Sequence, residues 1–275
     1  MKKIALRVNP TDKRVDSFLK KIINDLNHFS IKPTLLNEDA ENKNMYVEKK
    51  RYLQEDFDLL IVLGGDGTIL NAGRMSAINQ IPILGVSVGS FGFLTSTNVE
   101  NFKETFKSVV ENKYILENRP LLEGSLKGKR FLSVNDLVVS HEGHSSVSPF
   151  EIQINDSLLR YKGDGLVIST STGSTAYNLS AGGPVVDPEM SCMLLTPICA
   201  HLIGVRPMII SKKSVSVSAI KDKKYSLSVD GQHAARFSNS DCLKVKVSDL
   251  FFKLIRSEDS AEFWTVVKEK FHWGN

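Results

Sequence analysis

Cysteine is scarce in this sequence, and its spacing argues against two kinds of site. The chain has three cysteines, Cys192, Cys199 and Cys242, and no two of them form a Cys-x-x-Cys pair. This pattern argues against a disulfide framework and against a structural zinc centre. Stability must therefore come from packing, and 275 residues with 41% hydrophobic content can bury one large core or two moderate ones.

Long hydrophobic runs are also missing from the sequence. The most continuous apolar segment, Leu59–Leu63, is far too short to cross a bilayer. Arg7, Asn9 and Pro10 interrupt the apolar residues near the amino terminus, so no hydrophobic region of signal-peptide length is present. We therefore expect a soluble, cytoplasmic protein that does not bind membranes.

Positive charge is in only mild excess. The formal net charge is +4, and lysines and arginines are spread along the chain rather than clustered with aromatic residues. Such a distribution does not provide the basic track that nucleic acids need, so we expect no nucleic-acid partner. The excess suits phosphorylated ligands, although a solvated surface with a few extra lysines explains it equally well.

Strand and helix signals alternate over the first third of the chain. Apolar residues recur at helical spacing over 15–26, and residues 59–63 form the continuous apolar run of a buried parallel strand. The predicted strands are 4–8, 32–36, 59–63 and 83–88, and the predicted helices are 15–26, 39–51, 69–79 and 98–113. This alternation predicts a doubly wound parallel sheet with helices against it.

The pattern changes near Tyr114. From there to about residue 254 the sequence shows short alternating strands separated by turn residues. Examples of these predicted strands are 151–154, 166–168, 215–218, 225–229 and 243–247. They indicate an all-β, antiparallel, sandwich-like carboxyl-terminal domain after an α/β amino-terminal domain, with a last helix over 260–271.

The first motif is a glycine-rich turn after the predicted strand 59–63. Gly64, Gly65 and Gly67 surround Asp66, and Thr68 follows. Glycines let the backbone approach a ligand and a helix amino terminus favours anions, so the turn is predicted to cradle a polyphosphate. The Gly-Lys-Ser/Thr of a Walker loop does not follow. A carboxylate here would accept a proton from an attacking hydroxyl or act through a divalent metal. The alternative is that Asp66 only stabilises its own turn.

The second motif is a polar, glycine-containing stretch over residues 162–184. It combines many hydroxyl side chains and five glycines with Asp164 and Tyr177. A nucleotide-binding surface needs such a mixture, because phosphate and ribose require donors and a base can stack on a ring. A polar turn region without a ligand explains the composition about as well.

Together the two motifs resemble the NAD kinase family. The family pattern contains a Gly-Gly-Asp-Gly turn, a Gly-Phe-Leu loop, an Asn-Glu pair, a Gly-Ser-Thr-Ala-Tyr segment, a Thr-Pro-Ile-Cys stretch and a late Asp-Gly-Gln. In this sequence they stand at 64–68, 85–94, 135–136, 164–184, 196–199 and 230–232. Order and spacing match over nearly the whole chain. The 164–184 segment is highly specific, whereas lipid kinases and phosphofructokinases share a similar glycine turn.

The resemblance implies an enzyme that transfers a phosphoryl group from ATP or another donor to the 2′-hydroxyl of the adenosine ribose of NAD, giving NADP. It implies that Asp66 accepts the proton and that Gly64, Gly65, Gly67 and Thr68 form the phosphate-donor loop, with Mg²⁺ as the divalent metal. The implied NAD-binding residues are Asp66, Gly67, Asn135, Asp136, Ser146, Lys162, Asp164, Thr172, Thr175, Ala176, Tyr177, Asn178, Leu179, Ser180 and Gln232.

The resemblance also implies the domain organisation. Residues 1–116 would form the α/β domain, 117–254 the β-rich NAD-binding domain, and 255–275 a helix that returns to the first domain. A homodimer or homotetramer is expected, with a nucleoside triphosphate or polyphosphate as the second substrate. Four positions depart from the family pattern: Ser87 stands for Asn, Asp136 for Glu, Ala200 for Pro and Leu202 for Ser.

Two further functions remain possible at this point. A lipid kinase could share the glycine turn, although Ile69 to Gly73 lack the glutamate that such enzymes place after it. A non-catalytic NAD-binding regulator could share the NAD contacts, but it would not need Asp66. Gly85 to Gly89 also match the Gly-x-Ser-x-Gly motif of hydrolases, yet residues 90–94 are a poor helix start, so we disfavour that function.

Overall fold

A computed structural model describes residues 3–8, 15–36, 56–142, 148–211, 213–220, 223–238, 241–257, 260 and 262–273. Within these residues the chain forms two compact units, one made of 3–118 and 252–273 and the other of Arg119–Phe251. The unit boundaries fall a few residues from those predicted after 116 and 254. The predicted helix 39–51 lies outside the described residues.

The first unit contains a parallel sheet. Its strands are β1 (Ile4–Val8), β2 (Thr34–Leu36), β3 (Leu59–Leu63), β4 (Ile83–Ser87) and β5 (Thr97–Asn98). They pair in the order β2-β1-β3-β4-β5, and every pair is parallel. All residues of β3 and β4 are buried, as predicted for central strands that are covered on both faces. The carboxyl ends of β3 and β4 therefore meet at one edge of the sheet.

Five α-helices lie in the described chain: α1 (Val15–His28), α2 (Asp66–Asn79), α3 (Phe102–Val110), α4 (Tyr177–Ser180) and α5 (Phe263–Phe271). All except α4 belong to the first unit. The predicted start of α2 at residue 69 was wrong, because Gly65 is extended (φ −95°, ψ −176°) and the helix begins directly after it. The catalytic candidate Asp66 is therefore the first residue of a helix rather than the middle of a turn.

Helix α3 is shorter than the predicted 98–113. Thr97 and Asn98 pair with β4 as β5, and the Asn98 Oδ1 accepts a hydrogen bond from the backbone N–H of Asn101 at 2.8 Å. These contacts hold the residues before Phe102 in a turn. At the other end Asn112 has a φ of +56°, which ends the helix. The residue pattern marked the apolar face of α3 but not its ends.

The second unit is built from antiparallel strands. They are β6 (Tyr114–Leu126), β7 (Lys129–Ser133), β8 (Asp136–His141), β9 (Ser148–Ile154), β10 (Ser157–Gly163), β11 (Gly165–Thr170), β12 (Met193–Ile198), β13 (Met208–Ile210), β14 (Val215–Ser218), β15 (Lys224–Val229), β16 (Gln232–Ser238) and β17 (Cys242–Ser257). One sheet has the strand order β13-β12-β11-β8-β15-β16. A second group of hydrogen-bonded strands has the order β10-β9-β14-β17. Strand β6 enters this unit from the first, and β17 leads back to it. The predicted fold class, α/β followed by an antiparallel β domain, is confirmed.

Each unit has its own hydrophobic core. In the second unit Phe150 stacks on Tyr161 with ring centroids 5.2 Å apart, and Tyr225 stacks on Phe237 at 5.4 Å. In the first unit Phe102 and Phe106 of α3 are fully buried. Buried aromatic residues contribute large apolar areas and fix the layers they join. None of the described helices is both long and apolar enough to cross a membrane.

Candidate functional site

The carboxylate of Asp66 is held by the backbone of a distant loop. Its Oδ2 accepts a hydrogen bond from the N–H of Phe93, and its Oδ1 accepts one from the N–H of Leu94, both at 3.0 Å. These partners lie 27 and 28 residues further along the chain. Asp66 therefore does more than stabilise its own turn. Two fixed donors set the direction of a half-buried carboxylate at the carboxyl end of β3.

Gly92 lies directly against this carboxylate. A Cβ atom at position 92 would lie 2.0 Å from the Asp66 Oδ1, far inside van der Waals contact. The Gly92 N–H donates to the Thr95 Oγ1 at 2.8 Å, which folds the loop back toward the sheet. The Gly-Phe-Leu sequence is thus explained physically, because only glycine lets the two amides that follow reach Asp66.

The glycines of the turn have two different roles. A Cβ at Gly64 would lie 2.6 Å from the Thr68 Oγ1, so Gly64 and Thr68 pack on each other. Gly65 and Gly67 are exposed, and no atom of the described residues lies within 4 Å of the places where their Cβ atoms would be. No side chain in the described part of the protein caps the amino terminus of α2. The Thr68 amide donates to the Gly65 oxygen at 3.0 Å, whereas the amides of Asp66 and Gly67 and the positive end of the helix dipole can bind an anion.

In the second unit Asp230 organises two of the predicted NAD-binding residues. Its carboxylate accepts hydrogen bonds from the Ser133 hydroxyl at 2.8 Å and from the backbone N–H groups of Val134, Asn135 and Asp136 at 3.1, 2.7 and 3.1 Å. Asp230 has a φ of +46° in a tight turn with Gly231. Asp230 stands in the Asp-Gly-Gln pattern but was not among the predicted NAD-binding residues. The Asp-Gly pair directly after the predicted strand 225–229 was the signal for this turn.

Asp136 is a buried acid. Its residue is 4% exposed, and burial followed by the negative charge of Asp230 raises the pKa of Asp136 to about 7. Near neutral pH the carboxyl group is therefore partly protonated and can donate a hydrogen bond as well as accept one. This property belongs to a position where the family usually has glutamate.

A network of hydrogen bonds fixes the loop 172–183. The Asn178 amide nitrogen donates to the backbone oxygens of Ser174 and Pro184, both at 3.0 Å. Its oxygen accepts from the Thr196 hydroxyl at 2.6 Å. At Gly173 a Cβ would lie 2.2 Å from the Asn135 backbone oxygen. The loop is thus held against Asn135, and the Asn178 side chain is occupied within the protein, so a direct contact with NAD stays a prediction.

The remaining predicted residues fall into two groups. The Thr172 Oγ1 and the Gln232 Oε1 are buried and have no hydrogen-bond partner among the described residues, so each has an unused hydrogen-bonding capacity. Tyr177 is 46% exposed and can stack on a flat ring. Ser180 is exposed, and Thr175, Ala176 and Leu179 are half-buried around it.

Lys162 and Asp164 are not brought to this group. They precede β11, whereas Thr172 follows it, and six residues of extended strand separate the ends by about 20 Å. Both residues are exposed. Asp164 forms a hydrogen bond with the Cys199 thiol, which raises the thiol pKa. Ser146 lies outside the described residues.

Comparison with known proteins now identifies the family. A sequence model of the ATP-NAD kinase N-terminal domain matches residues 9–114, and one of the ATP-NAD kinase C-terminal domain matches residues 134–257. The chain belongs to the NAD kinase family. It is 33% identical to NAD kinases of Chloroherpeton thalassium and Clostridium tetani, covering 99% of this chain and 98% and 100% of theirs. The two matched domains favour this family over the lipid kinases that share the glycine turn.

Two solved structures of NAD kinase relatives share the fold. An Archaeoglobus fulgidus NAD kinase in complex with ATP superposes with a TM-score of 0.73 at 26% identity, covering 93% of this chain and 94% of the other. Yeast NADH kinase complexed with NADH gives a TM-score of 0.82 at 23% identity, covering 100% and 88%. The yeast likeness shows the fold alone.

The positions that depart from the NAD kinase pattern have different surroundings. Ser87 is 2% exposed and its hydroxyl has no hydrogen-bond partner among the described residues. It cannot be the exposed nucleophile of a hydrolase, which agrees with our reading of the Gly-x-Ser-x-Gly match. Leu202 is 59% exposed and Ala200 is half-buried. Both residues lie in the loop that follows β12 in the second unit.

Proposed function

We propose that this chain phosphorylates the 2′-hydroxyl of the adenosine ribose of NAD, taking the phosphoryl group from ATP or another phosphate donor and releasing NADP. The observation that carries the proposal is the Asp66 carboxylate, which two amides orient beside an open glycine turn. Family membership and the ATP-bound archaeal relative support the same reaction.

The chemistry follows from Asp66 and the turn. Asp66 accepts the proton of the ribose hydroxyl while that oxygen forms a bond to the terminal phosphorus of the donor. The bond to the bridging oxygen breaks, and the shortened donor leaves with the electron pair. Phosphoryl transfer depends mainly on alignment and charge stabilisation, so a covalent enzyme intermediate is not required. The amides of Gly65 and Gly67 would bind the donor phosphates.

A divalent ion, Mg²⁺, would bind at this site mainly through the phosphates of the donor, with Asp66 as its protein carboxylate. The described residues contain no group of three acidic, histidine or cysteine side chains that could form a cage for a metal. Mg²⁺ commonly binds through substrate phosphates, waters and one or two carboxylates, and Asp66 is the carboxylate of this turn. When bound, the ion supplies neutralisation of the phosphate charge.

The NAD-binding residues named above remain part of the proposal. Asn135 and Asp136 are supported by the Asp230 carboxylate that holds both of their amides, and Thr172 and Gln232 are supported by their buried oxygens, which have no partner among the described residues. We also propose NADP biosynthesis in the cytoplasm and a homodimer or homotetramer. A second copy of the chain would allow Lys162 and Asp164 to contact a ligand held near Asn135, because one strand length separates them within a single chain.

The test is NADP formation by the purified protein with NAD, Mg²⁺ and a panel of triphosphate and polyphosphate donors. Asp66→Asn is expected to retain NAD binding and to lose turnover by about two to four orders of magnitude, the usual cost of a general base. Asp249→Asn is the matched control, because Asp249 is 99% exposed. Near wild-type turnover of Asp66→Asn, or no NADP from the wild type with any donor, would refute the proposal.

A further inference from the structure

We propose that Arg256 is a positioning residue for the reaction, acting through the loop that holds Asp66. The inference rests on the proposed function, because it gives Arg256 a role only if Asp66 is the base. Arg256 lies near the end of β17, and the residue is 5% exposed. It lies in the first unit, as does Asp66.

The guanidinium of Arg256 contacts the Gly92–Thr95 loop on its carbonyl side. It donates to the backbone oxygen of Phe93 at 2.7 Å and to that of Thr95 at 2.5 Å. Its Nε also donates to the Glu117 carboxylate at 3.3 Å. A planar guanidinium presents several donors in a fixed arrangement, so it can hold two carbonyls and a carboxylate at once.

Arg256 and Asp66 bind the same peptide group from opposite sides. The carbonyl of Phe93 and the N–H of Leu94 belong to one planar peptide unit, in which the two groups point in opposite directions. Arg256 binds that carbonyl, and Asp66 accepts a hydrogen bond from that N–H. Holding the oxygen therefore fixes the direction of the N–H. Hydrogen bonds in such a chain also polarise one another.

The carboxyl-terminal helix holds the same loop from another direction. The Phe93 ring lies 5.7 Å from that of Phe263 and 5.8 Å from that of Phe271, and the Lys270 Nζ lies 5.5 Å from its centroid. Next along the loop, the Ser260 hydroxyl donates to the Ser96 backbone oxygen at 2.9 Å. The apolar contacts fix where the loop lies, and Arg256 fixes how its peptide groups are turned.

A double-mutant cycle separates positioning from general stabilisation. Arg256→Gln is expected to lower kcat by about tenfold to a hundredfold, because small misplacements of a reacting group have effects of this size. The rate is normalised to the fraction of protein that binds NAD, and the Kd for NAD should stay unchanged. In the Asp66→Asn background the same substitution should lower kcat by less than about threefold, since the group that Arg256 positions is already absent. Arg256→Lys should recover part of the loss.

Two further variants complete the test. Arg130→Gln is the matched control, because Arg130 also pairs with a glutamate, Glu123 at 2.8 Å, but lies on the surface of the second unit. It should leave kcat unchanged. If the Arg256 variants do not fold, Glu117→Gln replaces them in the cycle, since it removes only the charge that orients Arg256. Glu117→Gln should again lower kcat only in protein that retains Asp66.

The outcomes are distinguishable. The positioning role would be overturned if Arg256→Gln lowered kcat by the same factor in wild type and in Asp66→Asn. It would also be overturned if Arg256→Gln kept full turnover while Asp66→Asn is inactive. Either result would leave the proposed function standing. Full turnover of Asp66→Asn itself would instead remove the proposed function. A loss of kcat that appears only in protein that retains Asp66 supports the inference.

Discussion

The carboxylate of Asp230 lies 2.7 Å from the backbone nitrogen of Asn135, although 95 residues separate them in the chain. The same oxygen also accepts from the Ser133 hydroxyl and from the Asp136 N–H. One side chain on a hairpin turn therefore shapes the backbone of the Asn-Asp pair, without itself being a predicted NAD ligand.

Replacing Asp230 by asparagine should weaken both the fold and NAD binding. Asparagine keeps a single acceptor oxygen and introduces an N–H₂ group where the Asp230 carboxylate receives backbone donors. Loss of hydrogen bonds to a charged group typically costs about 1.5–3 kcal/mol. Asp230→Asn should lower the free energy of unfolding by that amount in urea titrations and raise the Kd for NAD in calorimetry. Asp249→Asn should do neither, and unchanged NAD affinity would contradict the proposed support of Asn135.

The buried Asp136 should make stability fall as pH rises. Its pKa is about 7 in the folded protein against an ordinary value of 3.8, so the folded state binds the proton more tightly. The contribution is fully present below pH 3.8 and is lost as pH rises through about 7. A shift of this size corresponds to at most about 4 kcal/mol.

The check is the difference in unfolding free energy between wild type and Asp136→Asn at pH 5 and pH 8. The neutral amide cannot lose a proton, so the variant should gain stability relative to wild type as pH rises through this window. The exposed Asp249→Asn variant should show a constant difference. A constant difference for Asp136→Asn as well would mean that the acid titrates normally.

A methyl group at position 92 should disable the site while leaving the rest of the chain folded. The added Cβ would lie 2.0 Å from the Asp66 Oδ1, so either the loop or the carboxylate must move. We expect Gly92→Ala to lower kcat about a hundredfold, since a displacement of about 1 Å has that effect.

Gly204→Ala is the control for this substitution, because the added Cβ would have no neighbour within 4 Å in the part of the chain that the structure describes. Circular dichroism and NAD binding confirm that both variants are folded. Turnover of Gly92→Ala within a factor of two of the control would show that the Asp66 carboxylate does not need this loop.

The sequence predicted local structure well where periodicity is strong. Strand β3 follows from its continuous apolar run, and the apolar face of α1 follows from the spacing of its hydrophobic residues. The start of α2 was missed because an extended Gly65 cannot be told from a turn glycine in the sequence. The pairing of Thr97 and Asn98 with β4 was missed because two residues carry no periodicity.

The site was only partly predictable for a similar reason. Asp66 stands in a recognisable glycine-rich motif, so it could be picked out from the sequence alone, although it begins helix α2 rather than standing in a turn. The amides of Phe93 and Leu94, the Asp230 carboxylate and the Arg256 guanidinium act across distances of 27 to 163 residues. Such contacts depend on the tertiary fold, so the local sequence around each residue does not reveal its partner.

The path of β17 has a consequence for how the protein is made. The first unit includes the described residues from 252 onward, which leave the ribosome only after the whole of Arg119–Phe251. Until then, Ile83 of β4 lacks its pairing partner Leu254 of β17. The loop at Phe93 also lacks the Arg256 guanidinium. The nascent chain can thus begin folding its second unit before the first is complete, and the loop that holds Asp66 gains the Arg256 guanidinium only after the second unit has been made.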